Sequence, residues 1–295
     1  MHLPGGRKFA FATFLAPRHP GEPERELEDT DTDSYFESAR VMAYRLLHSP
    51  SARSSAKIDF IALVTSEVTQ AKKDRLARDG ATVVVVDRLV SEWITPKEGR
   101  WQDVLSKLRL WTMTQYDKIA FIDADHLITQ PLDGVFDDPA VAIQYTAVNA
   151  SVMDAAPLPD TYVFAARPEV GNYGHDNPPN EGDYLNSGFF VLKPDMQMFE
   201  YFEELMLPKH EGLFRTVFPE QDMLNYVFRR EGKMPWGSLW QGWNRNFPNE
   251  DDFRYGVHSY HDKFWDAGSD HVLSTIWHSQ RKEMEDYWAN NEKKA

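Results

Sequence analysis

The chain has 295 residues, and at about 150 residues per domain this gives two domains or one large α/β domain with insertions. It carries 46 acidic residues against 32 lysines and arginines, a formal charge of −14, which argues against nucleic acid as the main partner and against docking on anionic lipid. Cysteine is absent, which excludes disulfides, zinc–thiolate sites and cysteine nucleophiles.

The sequence shows no membrane-targeting feature. No run of 18 or more apolar residues occurs, so no membrane span is predicted. The segment from Met1 to Phe14 lacks the long apolar core of a signal peptide. We therefore expect a cytoplasmic protein.

The first half of the chain alternates between strand-like apolar runs and helical spacing. In chain order the pattern predicts a strand at Phe9–Leu15, a helix at Tyr35–Leu47, a strand at Ile58–Val64, a helix at Val68–Arg78 stopped by Gly80, a strand at Thr82–Asp87, a helix capped by Asp103 and containing Trp111, and a strand at Lys118–Ile122. This rhythm of strands and helices is typical of βαβ units, and it predicts an α/β fold with a mostly parallel sheet.

Two stretches interrupt this rhythm. The acidic segment His19–Asp33 contains two prolines and is predicted to be a solvated loop insertion, whereas Pro157–Pro179, with five prolines, predicts a long irregular connection of the kind that often lines sites. The remaining pattern predicts a strand at Tyr184–Leu192, helices at Met196–Leu205 and Gln221–Phe228, a short strand ending in Ile276-Trp277-His278, and a terminal helix.

The pattern Asp123-Ala-Asp125 stands out by its context. It follows the predicted strand Lys118–Ile122 directly, whereas the similar patterns between Asp29 and Asp33 lie in the acidic loop. Ligands bind open parallel sheets at the carboxyl ends of the strands. Because two adjacent carboxylates repel each other unless a cation neutralises them, this pair predicts a metal or phosphate site.

Two chemistries use such a strand exit. In a phosphatase of the haloacid-dehalogenase type the first Asp is a nucleophile, but that family usually has Thr or Val where this chain has Leu127. In a sugar-nucleotide transferase the pair holds a divalent ion on a diphosphate, and carboxylate oxygens suit Mg²⁺ or Mn²⁺.

Three ordered motifs resemble glycosyltransferase family 8, the glycogenin and galactinol synthase group. They are the segment Ser106–Phe136, the strand Tyr184-Leu-Asn-Ser-Gly-Phe-Phe-Val191 and the helix start Pro219-Glu-Gln-Asp-Met-Leu-Asn225. The resemblance implies a GT-A fold, a Rossmann-like and mostly parallel central sheet flanked by helices. It also implies a single domain over 1–295, with a nucleotide-binding half at about 1–130 and an acceptor-binding half at about 131–295.

The resemblance further implies roles for particular residues. Asp123, Asp125 and His278 would bind Mn²⁺ or Mg²⁺. Catalytic roles would fall to Glu220, Gln221, Asp222 and Asn186. Substrate contacts would come from Phe14, Tyr35, Lys107, Asp123, Ala124, Asp125, Asn186, Ser187, Gln221, Arg281 and Lys282. Among these, Tyr35 would stack on the base, and Arg281 or Lys282 would replace a family lysine that normally follows the metal histidine.

The implied activity is that of a retaining, Mn²⁺-dependent transferase. It would move a hexosyl group from UDP-glucose, UDP-galactose or UDP-GlcNAc to a hydroxyl acceptor. Because the stretch after His278 departs from the family pattern, a catalytically silent UDP-sugar-binding protein is the alternative function. A metal-dependent phosphatase is a further alternative, less favoured than the first. The protein could assemble as a homodimer. His258, His261 and His271 lie in a polar aromatic segment and are expected to be structural.

Overall fold

The computed structural model describes residues 6–17, 33–148, 155–179 and 182–292. Most of the predicted acidic loop at 19–33 lies outside the described residues, and only Asp33 at its end is within them. The strands are β1 Phe9–Leu15, β2 Asp59–Thr65, β3 Thr82–Val86, β4 Lys118–Ile122, β5 His126–Ile128, β6 Gln144–Tyr145, β7 Thr161–Tyr162, β8 Phe164–Pro168, β9 Leu185–Leu192, β10 Gly237–Ser238, β11 Arg245–Asn246 and β12 Ser259–His261. The helices are α1 Ser34–Leu47, α2 Gln70–Arg78, α3 Met196–Leu205, α4 Pro219–Val227, α5 Glu250–Tyr255 and α6 His271–Glu292.

Within the described ranges, a central sheet of seven strands has the order β10-β8-β9-β4-β1-β2-β3. The strands β4, β1, β2 and β3 run parallel to one another, and β9 pairs antiparallel with both β4 and β8. Every residue of β1 and β9 is buried, because helices and loops cover both faces of the sheet. The predicted mostly parallel α/β fold is confirmed. Strands from both predicted halves meet where β4 pairs with β9.

The first two predicted helices form close to their expected bounds. The Asp33 side chain accepts a hydrogen bond from the Phe36 N–H and caps α1. The Thr69 hydroxyl does the same for α2, and Gly80 follows that helix with φ of +103°. The third predicted helix is a 3₁₀ segment over Val104–Thr112, and the Asp103 carboxylate pairs with Arg88 instead of capping it.

Two predicted segments are wrong. Part of Pro157–Pro179 forms β7 and β8, since the apolar run Phe164-Ala-Ala pairs with β9 and the Pro at 168 falls only at the strand's end. The predicted strand ending in His278 does not form, because these residues lie inside α6. Leu273, Trp277 and Met284 lie on one face of α6 and are buried.

A second, smaller sheet has the order β11-β12-β5. Its strand β5 follows β4 directly in the chain, because only three residues separate the two strands. The antiparallel pairing of β12 with β5 sets His261 opposite His126. Across the described residues, no helix is long and apolar enough to cross a membrane.

Candidate functional site

A cavity of about 260 Å³ opens where β4 ends, at the carboxyl edge of the parallel strands. The backbone N–H of Asp123 donates to the Gly188 carbonyl at 2.8 Å, which ties the exit of β4 to β9. Of the residues predicted from the sequence, the cavity is lined by Phe14, Tyr35, Lys107, Asp123, Ala124, Asp125, Ser187, Glu220 and Gln221. Residues far apart in the chain therefore converge on the predicted strand exit.

The carboxylates of Asp123 and Asp125 face the imidazole of His261. Its Nε2 lies 3.1 Å from Asp125 Oδ1 and 3.9 Å from Asp123 Oδ2. Within the described residues, Asp125, His126 and His261 offer ligand atoms that all lie within 4.8 Å of one another. Carboxylate oxygen and imidazole nitrogen are ligands that Mn²⁺ accepts, so this donor set fits a divalent ion.

The His126 ring supports His261 from one side. The two rings stack at 4.3 Å between centroids with 16° between their planes, and His126 Nδ1 lies 2.9 Å from the Asp123 carbonyl oxygen. Burial lowers the pKa of His126 well below its usual range, aided by the charge of His261. Because His261 lines the cavity and His126 does not, His261 is better placed than His126 to share a metal with the carboxylates.

Lys107 is the buried cation of the site. Its Nζ lies 2.8 Å from Asp123 Oδ1 and 2.8 Å from Glu220 Oε1. Burial alone would lower the pKa of Lys107, but the charges of Asp123 and Glu220 outweigh it and raise the pKa. Lys107 thus stays protonated and joins the end of β4 to the start of α4.

The two carboxylates of the pair have different pKa shifts. Burial raises the pKa of Asp123, and Lys107 opposes that rise. Burial would also raise the pKa of Asp125, but the charge and hydrogen bond of His261, with the charge of Lys263, hold it well below its usual range. Burial by itself would lower the pKa of His261, yet Asp125 and Asp123 raise it. The raised pKa values of Asp123 and of His261 both follow from carboxylates that lie close together in a buried place, where a bound cation would favour their ionised forms.

The Asn186-Ser187-Gly188 motif and the start of α4 are joined by hydrogen bonds. The backbone N–H of Ser187 donates to Gln221 Oε1 at 2.9 Å, and its hydroxyl contacts Glu220 Oε1 and Gln221 Oε1 at 3.2 Å each. Asn186 is buried and is not among the residues that line the cavity. Its predicted contact with the sugar stays a prediction.

Asp222 is held within the fold. Its Oδ2 accepts from the backbone N–H of Phe218 at 2.9 Å, and its Oδ1 accepts from the Tyr184 hydroxyl at 2.7 Å. The side chain is 4% exposed. These contacts fix the start of α4, and they keep the carboxylate out of the cavity lining.

The structure does not bring His278, Arg281 or Lys282 to this cavity. His278 is exposed on α6, Arg281 pairs with Glu37 and Glu285, and Lys282 pairs with Asp286. Their predicted positions depended on a strand ending at His278, and that strand is instead part of α6. The histidine that the structure places beside Asp123 and Asp125 is His261, and not His278.

His261 and Lys263 are among the residues of the cavity lining that the sequence analysis did not place there. Lys263 Nζ lies 4.0 Å from Asp125 Oδ2. Lys263 stands two residues after His261, and a lysine shortly after a histidine was the available signal, since the family has a lysine after its metal histidine. By contrast, His258 contacts the Pro131 carbonyl oxygen and packs edge-on against Trp243, as expected of a structural histidine.

The model of the family described as "Glycosyl transferase family 8" matches residues 32–260 of this chain. An uncharacterized protein of Schizosaccharomyces pombe is 28% identical over 292 residues, covering 88% of this chain and 77% of that protein. UDP-glucuronate:xylan alpha-glucuronosyltransferase 2 of Arabidopsis thaliana is 25% identical over 82% of this chain and 41% of its own length. Galactinol synthase 2 of the same plant is 24% identical over 76% of this chain and 62% of its own length.

Solved structures of glycosyltransferases show the same fold. The bifunctional glycosyltransferase WbbM aligns over 95% of this chain and 51% of its own, with a TM-score of 0.55 and 14% identity. The galactosyltransferase LgtC, solved with donor and acceptor sugar analogs, aligns over 92% of this chain and 95% of its own, with a TM-score of 0.51 and 13% identity. The fold of this chain is therefore GT-A.

Proposed function

The chain belongs to Glycosyl transferase family 8, and from that premise we propose that it transfers a hexosyl group from a UDP-sugar to a hydroxyl acceptor with retention of configuration. We propose one GT-A domain over 1–295, with the donor bound mainly by the half at about 1–130. Mn²⁺, or Mg²⁺ in its place, would be held by Asp123, Asp125 and His261. The observation that carries this proposal is His261 Nε2 lying between the two strand-exit carboxylates.

The donor's diphosphate is the part of the substrate that this cavity suits best. A bound divalent ion would act as a Lewis acid on the charge that develops on the leaving phosphate. Lys263 lines the cavity beside Asp125 and offers a cation to the same phosphates. Lys107, already paired with Asp123 and Glu220, holds the metal-side carboxylate in place.

The base and sugar would occupy opposite ends of the cavity. Phe14 and Tyr35 line the end near β1, and the Tyr35 ring is fixed edge-on against Trp265 at 5.2 Å between centroids. This supports the stacking role for Tyr35, since a flat aromatic face suits a nucleobase. Ser187, Glu220 and Gln221 line the other end, where polar groups can meet sugar hydroxyls.

Retention of configuration at the anomeric carbon requires either an enzyme nucleophile or attack by the acceptor on the same face from which the leaving group departs. Glu220 lines the cavity, but its Oε1 is engaged by Lys107 Nζ and the Ser187 hydroxyl. Asp222 is bound to Phe218 and Tyr184. Because both acids already have strong partners, we favour front-face attack, with the departing phosphate accepting the proton of the acceptor hydroxyl.

The relatives do not agree on one sugar donor. One of them is named for UDP-glucuronate and another for galactinol synthesis. The first donors to test are therefore UDP-glucose, UDP-galactose, UDP-GlcNAc and UDP-glucuronate. UDP release in the presence of Mn²⁺ measures turnover for each of them, with water or added sugar alcohols and oligosaccharides as acceptors.

The test of the proposal pairs Asp125→Asn with Asp74→Asn. Asp74 lies on α2, where its carboxylate accepts from Gln70, so it controls for the loss of one negative charge. We expect Asp125→Asn, or EDTA, to lower UDP release at least about 100-fold, because metal-assisted stabilisation of the leaving group is lost. Full turnover in EDTA would overturn the metal assignment. UDP binding with no release from any donor would favour the catalytically silent alternative.

A further inference from the structure

Asn186 lies behind His261 in a chain of hydrogen bonds that begins at Glu169. Glu169 Oε2 accepts from Asn186 Nδ2 at 2.8 Å and from Gln221 Nε2 at 3.4 Å. Asn186 Oδ1 accepts from the Gly188 N–H at 2.9 Å and lies 3.3 Å from His261 Nδ1. The far nitrogen of that ring, Nε2, faces the two strand-exit carboxylates.

The chemistry of the partners permits one orientation of the Asn186 amide. An ionised carboxylate only accepts hydrogen bonds, so the amide nitrogen must face Glu169. A backbone N–H only donates, so the amide oxygen must face Gly188. The same oxygen therefore accepts from His261, which has to carry a proton on Nδ1. Without an ion, Nε2–H donates to Asp125, and a bound ion would take the lone pair of Nε2 in place of that proton, beside Asp123 and Asp125.

Neither Glu169 nor Asn186 is among the residues that line the cavity. Within the described residues, Glu169 Oε1 is buried and has no hydrogen-bond partner. A buried carboxylate oxygen without a partner lowers the stability of a fold, so the Glu169 charge is not explained by the stability of β8 or of the loop after it. What the charge does determine is the direction of the Asn186 amide.

We propose that Glu169 and Asn186 are positioning residues for a metal-binding His261. Glu169 fixes the Asn186 amide, and the amide fixes both the tautomer and the ring plane of His261. Outer partners of this kind keep a ligating imidazole deprotonated on the metal side and oriented toward the ion. The inference depends on the metal site of the proposed function, and it does not depend on which sugar is transferred.

The first experiment measures the tautomer of His261 directly. Two-bond ¹H–¹⁵N correlation spectra of the protein saturated with UDP and Mg²⁺, which is diamagnetic, distinguish a proton on Nδ1 from one on Nε2. The His261 signal is assigned by its absence in His261→Gln. We expect the Nδ1–H form in the wild type and in Glu169→Gln, because glutamine still offers an oxygen to the amide. We expect a mixture of both forms in Glu169→Leu and in Asn186→Ala.

The second experiment measures the affinity for Mn²⁺ in the presence of UDP, by the loss of the free-ion signal in electron paramagnetic resonance. We expect Glu169→Leu and Asn186→Ala to weaken Mn²⁺ binding about 10- to 100-fold, the range for lost outer-shell partners. Glu169→Gln should lie closer to the wild type than Glu169→Leu. The control is Glu200→Leu, which removes an exposed glutamate from α3.

Wild-type tautomer and wild-type Mn²⁺ affinity in folded Glu169→Leu would overturn the proposal. If that variant fails to fold, the same result in Asn186→Ala overturns it. Failure of the proposed function gives a different result: no UDP-sugar is turned over, while the tautomer and the Mn²⁺ affinities respond as expected. If the wild type turns over a UDP-sugar while Glu169→Leu and Asn186→Ala bind Mn²⁺ as tightly as the wild type, only the positioning role is refuted.

Discussion

At the scale of single residues, the site depends on which histidine meets the carboxylate pair. His278 and His261 differ in surroundings rather than in chemistry. His278 is exposed on α6 and packs edge-on against Trp277. His261 is half-buried, and its Nε2 lies 3.1 Å from Asp125. Only the second ring can share an ion with Asp123 and Asp125.

His261→Ala should weaken Mn²⁺ binding in the presence of UDP at least about 10-fold, because one protein ligand is lost. His278→Ala should leave the affinity unchanged, since its ring lies on the surface of α6. Titration of Mn²⁺ by isothermal calorimetry measures both variants under one condition. A metal defect in His278→Ala with none in His261→Ala would refute the corrected ligand assignment.

Lys107 is the second residue whose role depends on its neighbours. Lys107→Met should lower the free energy of unfolding at pH 7 by about 3–5 kcal/mol, because Asp123 and Glu220 lose their shared cation. Without Lys107, the pKa of Asp123, which burial already raises, should rise further. The destabilisation should therefore shrink as the pH falls, since protonation neutralises the uncompensated carboxylate.

Urea unfolding at pH 7 and at pH 5 measures this difference. The matched control is Lys193→Met, because Lys193 is partly exposed and pairs with Asp195 at 3.5 Å. Such a pair contributes about 0–1 kcal/mol. Equal destabilisation by the two variants, or a Lys107→Met effect that grows toward low pH, would contradict the role given to Lys107.

At the scale of elements, β9 and β12 meet at Gly188. A Cβ built on Gly188 would lie 2.2 Å from His261 Cε1 and 2.3 Å from His261 Nδ1, distances that real Cβ atoms essentially never show. The Asn-Ser-Gly motif of β9 therefore has a steric purpose. Glycine lets the ring on β12 approach the strand closely enough to reach Asn186 and the carboxylates.

Gly188→Ala should displace His261 and weaken Mn²⁺ binding about 10-fold or more, and overpacking should cost about 1–3 kcal/mol of stability. Gly182→Ala is the control, because nothing lies within 4 Å of a Cβ at that position. Mn²⁺ affinity and urea unfolding are measured together for both variants. Wild-type Mn²⁺ affinity in Gly188→Ala would show that His261 need not occupy the observed position.

At the scale of the whole molecule, α6 packs against α1. Trp277 is 1% exposed, and its Nε1 donates to the Ser38 hydroxyl on α1 at 3.3 Å. Met284 extends the same face of α6 against Val41 and Tyr44. The end of the chain thus stabilises α1, and Tyr35 near the start of α1 lines the cavity.

Trp277→Ala should lower the free energy of unfolding by about 3–5 kcal/mol, because a buried aromatic ring leaves a cavity between α6 and α1. His278→Ala, one residue later and exposed, should stay within about 0.5 kcal/mol of the wild type. Thermal unfolding of the two variants compares them directly. A similar loss of unfolding free energy in both variants would mean that residue 278 is buried, and would contradict its exposed place on α6.

The sequence by itself determined the features whose signal is local. Continuous apolar runs such as Phe9–Leu15 predicted buried parallel strands, since strands covered on both faces have no polar alternation. The strand Lys118–Ile122 was predicted with its observed bounds, and with it the position of Asp123 and Asp125 at a strand exit. The family motifs placed Lys107, Ser187, Glu220 and Gln221, and the structure brings all four to the cavity.

Only the tertiary structure decided which distant residues complete the site. His261 reaches Asp125 because β12 pairs with β5, and no local pattern specifies a pairing between segments more than 100 residues apart. The sequence assigned the ligand to His278 because a short apolar run can be read as a strand or as part of a helix. Burial of Leu273, Trp277 and Met284 against the rest of the fold favours the helix, since the spacing of these three residues matches one helical face and a helix removes all three apolar side chains from water together.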